Sequence, residues 1–262
     1  MSTGTPSLGP LRPQAQLRRL VAAELLKLRR RRPLALVSLL LIVVPMLVSV
    51  VVLICLHAAN PGRYGPAGGV DNLRGALELL TQIGAVAAVL IGVSTGGGDL
   101  AAGVFRELVV TGRSRLALFA ARIPGGLAFL LPLVAVAFAI AAASSLTLAA
   151  SAPTPGAGLV FEYAGWVALV TTLAFLLALG VSSLLDSRAT AIGVLLAWQL
   201  AVAPLLLQTG KLDPLLLAAA LKRLEPGAAS GSISLTTTIA LIGAWTIMPL
   251  AAGAWRTHIR DA

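Results

Sequence analysis

Arg29-Arg-Arg-Arg-Pro-Leu-Ala-Leu-Val-Ser-Leu-Leu-Leu-Ile-Val-Val-Pro-Met-Leu-Val-Ser-Val-Val-Val-Leu-Ile-Cys-Leu56 decides the fold class of this chain. Four contiguous guanidinium groups precede a run, Pro33–Leu56, that carries no charge. A run of this length crosses the ~30 Å apolar core of a bilayer as a helix. It is too long for the apolar region of a secretory leader, and its far end lacks a small-x-small cleavage pattern. It therefore reads as a retained membrane span, with Pro45 as a possible kink.

Composition extends that reading to the whole chain. Of 262 residues, 58% are hydrophobic and only 11% charged, against about 25% charged in soluble domains. Mean hydropathy is +0.93. The expected class is an all-α membrane protein. The net charge of +10 is unevenly placed, with eight of the twenty Lys and Arg residues before Pro33. Such placement suits anionic headgroups and topology setting. Aromatic residues make up only 5% of the chain, so base-stacking platforms are lacking and nucleic acid is not an expected partner. The single cysteine, Cys55, lies within the first span and reads as a packing residue. His57 and His258 are distant in sequence, so metal binding is not expected.

Residues 1–15 are rich in Pro, Gly, Ser and Thr and are expected to be disordered. Gln16–Arg32 reads as an amphipathic interfacial helix. Leu17, Leu20, Val21, Leu25 and Leu28 gather on one side, with Arg18, Arg19 and Lys27 largely elsewhere. The plain alternative is a positive flank that orients the first span. Residues 33–255 form the transmembrane domain, and 256–262 a cytosolic tail. The later spans are expected at Leu77–Thr95, Ile123–Leu146, Val160–Leu184, Ala189–Gln208 and Ser232–Trp255. Arg122 and Pro124-Gly125-Gly126 are expected to separate a cytosolic helical start, from Leu116, from the third span proper. A short, charged, non-spanning helix lies between spans five and six.

Charge bookkeeping sets the orientation. With the N-terminus inside, inner segments hold fifteen basic residues, including Arg106, Arg113, Arg115, Arg122 and Arg188. Outer segments hold five: Arg63, Arg74, Lys211, Lys222 and Arg223. Both termini are therefore expected in the cytosol. Asp99–Arg115 becomes cytosolic with them. Asp99 suits an N-cap and Gly112 a helix stop. The twelve or so residues between them span only ~18 Å, too little to cross a membrane. Leu100, Val104, Phe105, Leu108 and Val109 share a face, while Arg106 and Glu107 project elsewhere.

Motifs for chemistry are missing. The chain has no GxxxxGK[ST] phosphate loop, and Gly96-Gly97-Gly98 runs into Asp99, which repels phosphate. Ala229-Ser230-Gly231-Ser232 has no histidine within a span to serve as its base. The chain is therefore not expected to be an enzyme. Deep ionisable residues, the usual sign of ion coupling, are essentially lacking. Glu78 and Glu162 sit at outer span ends and read as interfacial caps. The driving energy is then expected from another protein. Thr81, Gln82, Ser144, Ser145, Thr171, Thr172 and Gln199 are mild polar residues within spans. The plain reading is helix–helix hydrogen bonding; the functional one is a substrate path. Trp166 and Trp255 read as interfacial anchors.

The order of parts resembles the membrane (permease) subunit of type-2 ATP-binding-cassette (ABC) exporters. The parts are a basic amphipathic helix, then a short cytosolic helix with Arg106-Glu107 and a Thr111-Gly-Arg-Ser-Arg115 exit. A Gly180–Gly193 connection and a non-spanning helix before span six follow. Gly103, Leu108, Thr111 and Arg115 match the family's stretch after span two, while Gly112 replaces its usual proline. The resemblance implies an elbow helix at Gln16–Arg32 and a coupling helix at Leu100–Thr111. Leu100, Val104, Phe105, Arg106, Glu107, Leu108, Arg113 and Arg115 would meet a separate ATPase. It implies outer re-entrant helices at Leu212–Leu224, and a path lined from spans two and five. Thr81, Gln82, Trp198 and Gln199 are the candidates for that path, and Arg29, Arg30, Arg31 and Arg32 for the membrane surface. The partners implied are two ABC ATPase subunits, a second six-span permease subunit and membrane lipids. ATP and Mg would be bound by the ATPase, with no cofactor in this chain. The implied location is the bacterial cytoplasmic membrane, and the implied cargo a drug, antibiotic, lipid or glycolipid. Rival readings are an ion-gradient-driven carrier and a non-transporting anchor for a cytosolic complex.

Overall fold

The computed structural model describes residues 13–97, 115–185, 187–210, 212–228 and 233–259. Regular structure among them is entirely helical. In chain order the helices are α1 (Pro13–Arg30), α2 (Arg32–Ala59), α3 (Val70–Gly96), α4 (Arg115–Thr147) and α5 (Ala157–Leu184). Then come α6 (Arg188–Thr209), α7 (Leu217–Arg223) and α8 (Leu235–Ile259). Six of them, α2, α3, α4, α5, α6 and α8, are long and apolar enough to cross a membrane, the character of a multi-pass membrane protein. The end of the bundle that carries α1 is termed proximal here, and the opposite end distal.

The helices α3 and α5 form the centre. Spacing explains why: Gly84, Ala88, Gly92 and Gly96 recur every four residues, which places them on one helix face. That face meets α5. A Cβ on Gly84 would lie 3.0 Å from Thr171 Cγ2, and one on Gly92 2.7 Å from the Phe175 carbonyl oxygen. A Cβ on Gly96 would collide with Ser182 Oγ. Close backbone approach lets Phe175, Leu179, Leu80 and Ile91 bury completely around the seam. On its other side α5 meets α8, where a Cβ on Gly180 would lie 2.5 Å from the Pro249 backbone. By contrast, α2 buries only the stripe Ser38, Ile42, Val43 and Met46. Its other faces expose Leu36, Leu40, Val48 and Val51, apolar surface suited to lipid.

Three sequence-based boundaries shift. The second span begins at Val70 rather than Leu77. Its polar first turns are held by Asn72 Nδ2, which donates to the Pro66 and Gly68 carbonyls at 2.6 and 2.8 Å. The Gly69 and Val70 amides donate to Ser145 and Pro153 carbonyls of the α4–α5 region. Next, Arg122 and Pro124-Gly125-Gly126 do not separate two segments. Residues Arg115–Thr147 form one helix of 33 residues, ~50 Å long at 1.5 Å per residue. The glycines serve close packing: a Cβ on Gly125 would lie 2.7 Å from Glu24 Cβ of α1, and one on Gly126 would strike the Phe175 ring. Finally, the region around Leu212–Leu224 holds only a short 3-10 turn, Asp213–Leu215, and α7.

The amphipathic stripe of α1 is therefore used within the protein. Leu28 is buried and Leu25 packs against the core, while Leu17, Arg18 and Arg19 stay exposed. Lys27 Nζ pairs with Glu24 Oε1 at 2.8 Å. The predicted helix at Leu100–Thr111 lies outside the described residues.

Gly92→Val tests the central seam. Its side chain would meet backbone on α5, which cannot rotate away, at an overpacking cost of about 1–3 kcal/mol. Thermal unfolding in detergent should drop for Gly92→Val and stay unchanged for Val51→Leu on the exposed face of α2. Equal melting of the two variants would contradict the packing described.

Candidate functional site

At the distal end the chain between α6 and α8 folds into the bundle. Trp245 lies ten residues into α8 from Leu235, or ~15 Å along the helix, and its Nε1 donates to the Leu215 carbonyl at 3.0 Å. Trp166 Nε1, on α5, donates to the Leu221 carbonyl at 3.1 Å. The Tyr163 hydroxyl donates to the Pro226 carbonyl at 3.1 Å and accepts from Arg74 Nε at 3.3 Å. Three aromatic donors thus hold three carbonyls of one hairpin. Tyr163 and Trp166 also meet edge to face, with centroids 6.1 Å apart. Leu216, Ala219 and Ala220 are buried beneath. The indole of Trp166 is therefore an internal tether, only 9% exposed, rather than an interfacial anchor. Trp255, 66% exposed, keeps the position of one.

Under the hairpin lies a cavity of about 460 Å³. Arg74, Lys222 and Arg223 line it together with Glu78, Asp213 and Glu225. Glu78 faces this cluster from the first turns of α3. The Glu225 carboxyl is held above the usual carboxylate range, chiefly by burial and then by the Glu78 charge; Arg74 and Lys222 act in the opposite sense. A carboxyl raised in this way favours the folded hairpin when protonated, and that contribution is lost as pH climbs through its folded-state pKa.

The candidate path residues occupy two different settings. Thr81 is buried, and its hydroxyl donates to the Glu78 carbonyl of its own helix at 2.8 Å. Gln82, one residue on, is exposed. Trp198 and Gln199 open a π-turn, Trp198–Val202, within α6. The turn is closed by the Ala203 amide donating to the Trp198 carbonyl, and Pro204 follows. Such turns re-aim side chains and recur at functional sites. Here Trp198 stacks on Trp245 with centroids 5.5 Å apart. Gln199 lines a smaller cleft of about 110 Å³ with Leu207 and Leu216. Thr171, Ser144 and Ser145 lie on buried or half-buried faces, and the first two bond carbonyls of their own helices.

At the proximal end the structure assembles a group that sequence reading took for scattered topological charges. The last turn of α3 contains no basic residue, yet its carbonyls carry the negative end of the helix dipole. Three arginines arrive from elsewhere in the chain. Arg122 Nη1, fully buried, donates to the Gly96 carbonyl at 3.0 Å. Arg31 Nη1 donates to the Ser94 carbonyl at 3.4 Å, and Arg188 Nη2 to Ser94 Oγ at 3.0 Å. Arg115 Nη1 donates to the His258 carbonyl in the last turn of α8 at 3.1 Å. Arg29, Arg30 and Arg32 are exposed. The remaining predicted coupling residues, Leu100, Val104, Phe105, Arg106, Glu107, Leu108 and Arg113, lie outside the described residues. The only available sequence signal for the cluster was an arginine just inside α4 and another at the start of α6.

No protein-family model matches the chain, and no curated protein sequence matches it.

The tethers generate a direct expectation. In a Cys55→Ser background, a cysteine at the buried Ala220 should resist a membrane-impermeant maleimide. Replacing both indoles, Trp166→Phe with Trp245→Phe, removes two hydrogen bonds to the hairpin at about 1 kcal/mol each, and labelling should rise. Labelling that is already complete with both indoles present would contradict the inward fold of the hairpin.

Proposed function

We propose that this chain is the membrane subunit of an ATP-driven exporter of the ABC type-2 kind. It would move a hydrophobic or amphipathic molecule with energy from ATP hydrolysed by a separate subunit. The observation that carries the reading is the clamp at the base of the Asp99–Arg115 stretch. The Gly96 carbonyl at the end of α3 accepts from Arg122 of α4. The end of α3 and the first turns of α4, which flank the charged stretch, are therefore tied to one another. Arg115 adds a second tie, to the end of α8. A protein docked on the stretch would push on α3 and α4 together rather than extend a slack loop.

The steps follow from that mechanical arrangement. ATP binding closes an ATPase dimer, and the docked stretch carries the displacement to α3. The glycine seam passes it to α5 as a rigid-body movement. The distal hairpin, held by α5 and α8, then shifts with the helices that bear it. This gives an access change at the distal cavity without any ionisable group in the middle of a span. Two such chains and two ATPases complete the proposed machine, in a bacterial cytoplasmic membrane with both termini inside.

A second reading has one observation in its favour. Glu78 and Glu225 face the same cavity, and two carboxyls sharing a site is an arrangement used for proton coupling. The cavity lies at the distal end, however, and no comparable carboxyl pair lies in the middle of a span among the described residues.

The docking assignment is tested on the full complex with its ATPase. Glu107→Arg reverses a charge on the stretch and Val104→Pro breaks its expected helix at about 3 kcal/mol. Both should reduce substrate-stimulated ATP hydrolysis to the basal level while membrane insertion persists. Normal stimulation in both variants would sink the assignment.

A further inference from the structure

The proximal end holds an open cleft of about 630 Å³ between the start of α2, the last turns of α3 and the start of α6. Four guanidinium groups line it: Arg30, Arg31, Arg32 and Arg188. Among the described residues that line it, none is acidic. Arg31 and Arg188 both reach the same residue, Ser94, through its carbonyl and hydroxyl. Like charges brought together in this way repel, and an anion between them relieves the repulsion. The wall below the guanidiniums is different in character. Leu34, Val37, Leu90 and Ile192 continue the cleft along α2, α3 and α6, and Val37 is 46% exposed. A cationic mouth thus borders an open apolar wall that begins within about two helical turns of it.

We infer that this cleft is a binding site for one anionic glycerophospholipid. The phosphate would sit among Arg30, Arg31, Arg32 and Arg188, with an acyl chain along Val37, Leu90 and Ile192. Guanidinium forks match phosphate oxygens bidentately, and the apolar wall gives the chain a bed that water-soluble phosphate cannot use. A topology-setting flank would need only the contiguous arginines before Pro33. Here Arg188, from a helix more than 150 residues downstream, completes the same cleft, so the site is three-dimensional. The occupied site would also cross-link α2, α3 and α6 at the base of the Asp99–Arg115 stretch. The site stands on the described residues and does not depend on the exporter reading.

The test is native mass spectrometry of the purified full chain in mild detergent. Phosphatidylglycerol is titrated against phosphatidylcholine of the same acyl chains, with inorganic phosphate as a separate competitor. The wild type should retain phosphatidylglycerol preferentially, with millimolar phosphate failing to displace it. Each arginine near an anionic headgroup contributes enough that Arg188→Gln should weaken retention about fivefold, and Arg30→Gln with Arg32→Gln by more. Arg188→Lys, which keeps the charge, should retain most of the preference. Ser94→Ala, which removes only the protein partner of Arg188, should also keep it. Melting curves identify any variant that fails to fold. Arg30 and Arg32 are exposed, so their double variant decides the matter if Arg188→Gln does fail. Equal retention of the two lipids would overturn the site. So would a preference untouched by the arginine variants, or displacement by free phosphate alone, which would mark a simple anion site.

Discussion

A backbone carbonyl within a bilayer has no water to bond, so any break in a helix there needs a partner from the protein. Much of this structure is arranged around that requirement. A helix end presents carbonyls in need of donors, and at the end of α3 Arg31, just before α2, and Arg122 of α4 supply them. The hairpin between α6 and α8 leaves helical geometry inside the bundle, and Tyr163, Trp166 and Trp245 supply its donors. The donors differ in kind between the two ends of the bundle. Guanidinium groups, which tolerate the polar boundary, serve the proximal helix end. Indoles and a phenol, largely apolar with a single polar tip, serve the distal hairpin.

Packing then divides the molecule into a stiff centre and a loosely covered rim. The glycine face of α3 brings its backbone against α5, and α5 in turn receives α8 at Gly180. Glycines, having no Cβ, leave little to rearrange, so these contacts would transmit a displacement rather than absorb it. The helices α2, α6 and α8 bury little of their surface and present apolar faces outward, where lipid or a second subunit would lie. In the proposed mechanism the path for a mechanical signal would be short. It would run from the tie between Gly96 and Arg122, along α3, across to α5, and up to the hairpin that Trp166 holds.

How much of this could be read from the chain depended on whether the signal was local. Spans two to six announced themselves by hydropathy, and their centres fall where expected. The start of α3 did not, because Asp71, Asn72 and Arg74 look like loop residues until Asn72 is seen bonding the Pro66 and Gly68 carbonyls. Gly125-Gly126 resembled a break, since sequence does not reveal that Glu24 and Phe175 press on either side. Trp166 sat at the right spacing for an interfacial anchor, and its true neighbour, Leu221, is 55 residues away. Arg122 and Arg188 entered the charge count as inner residues, yet their convergence on the end of α3 depends on three-dimensional topology. The candidates Thr81 and Gln82 share a helix turn but not an environment, as one is buried and the other exposed. Helical period separates such neighbours only once the packing face is known.

The central claim is that work enters from a partner at the proximal end and no ion gradient is needed. Reconstitution into sealed vesicles addresses it most directly. The chain would be inserted with and without its co-purifying ATPase, and flux of an amphipathic probe followed under ATP or under an imposed proton gradient. The account predicts flux that requires both ATP and the ATPase and ignores the gradient. Flux through the chain alone, driven by the gradient and lost in Glu78→Gln or Glu225→Gln, would contradict it.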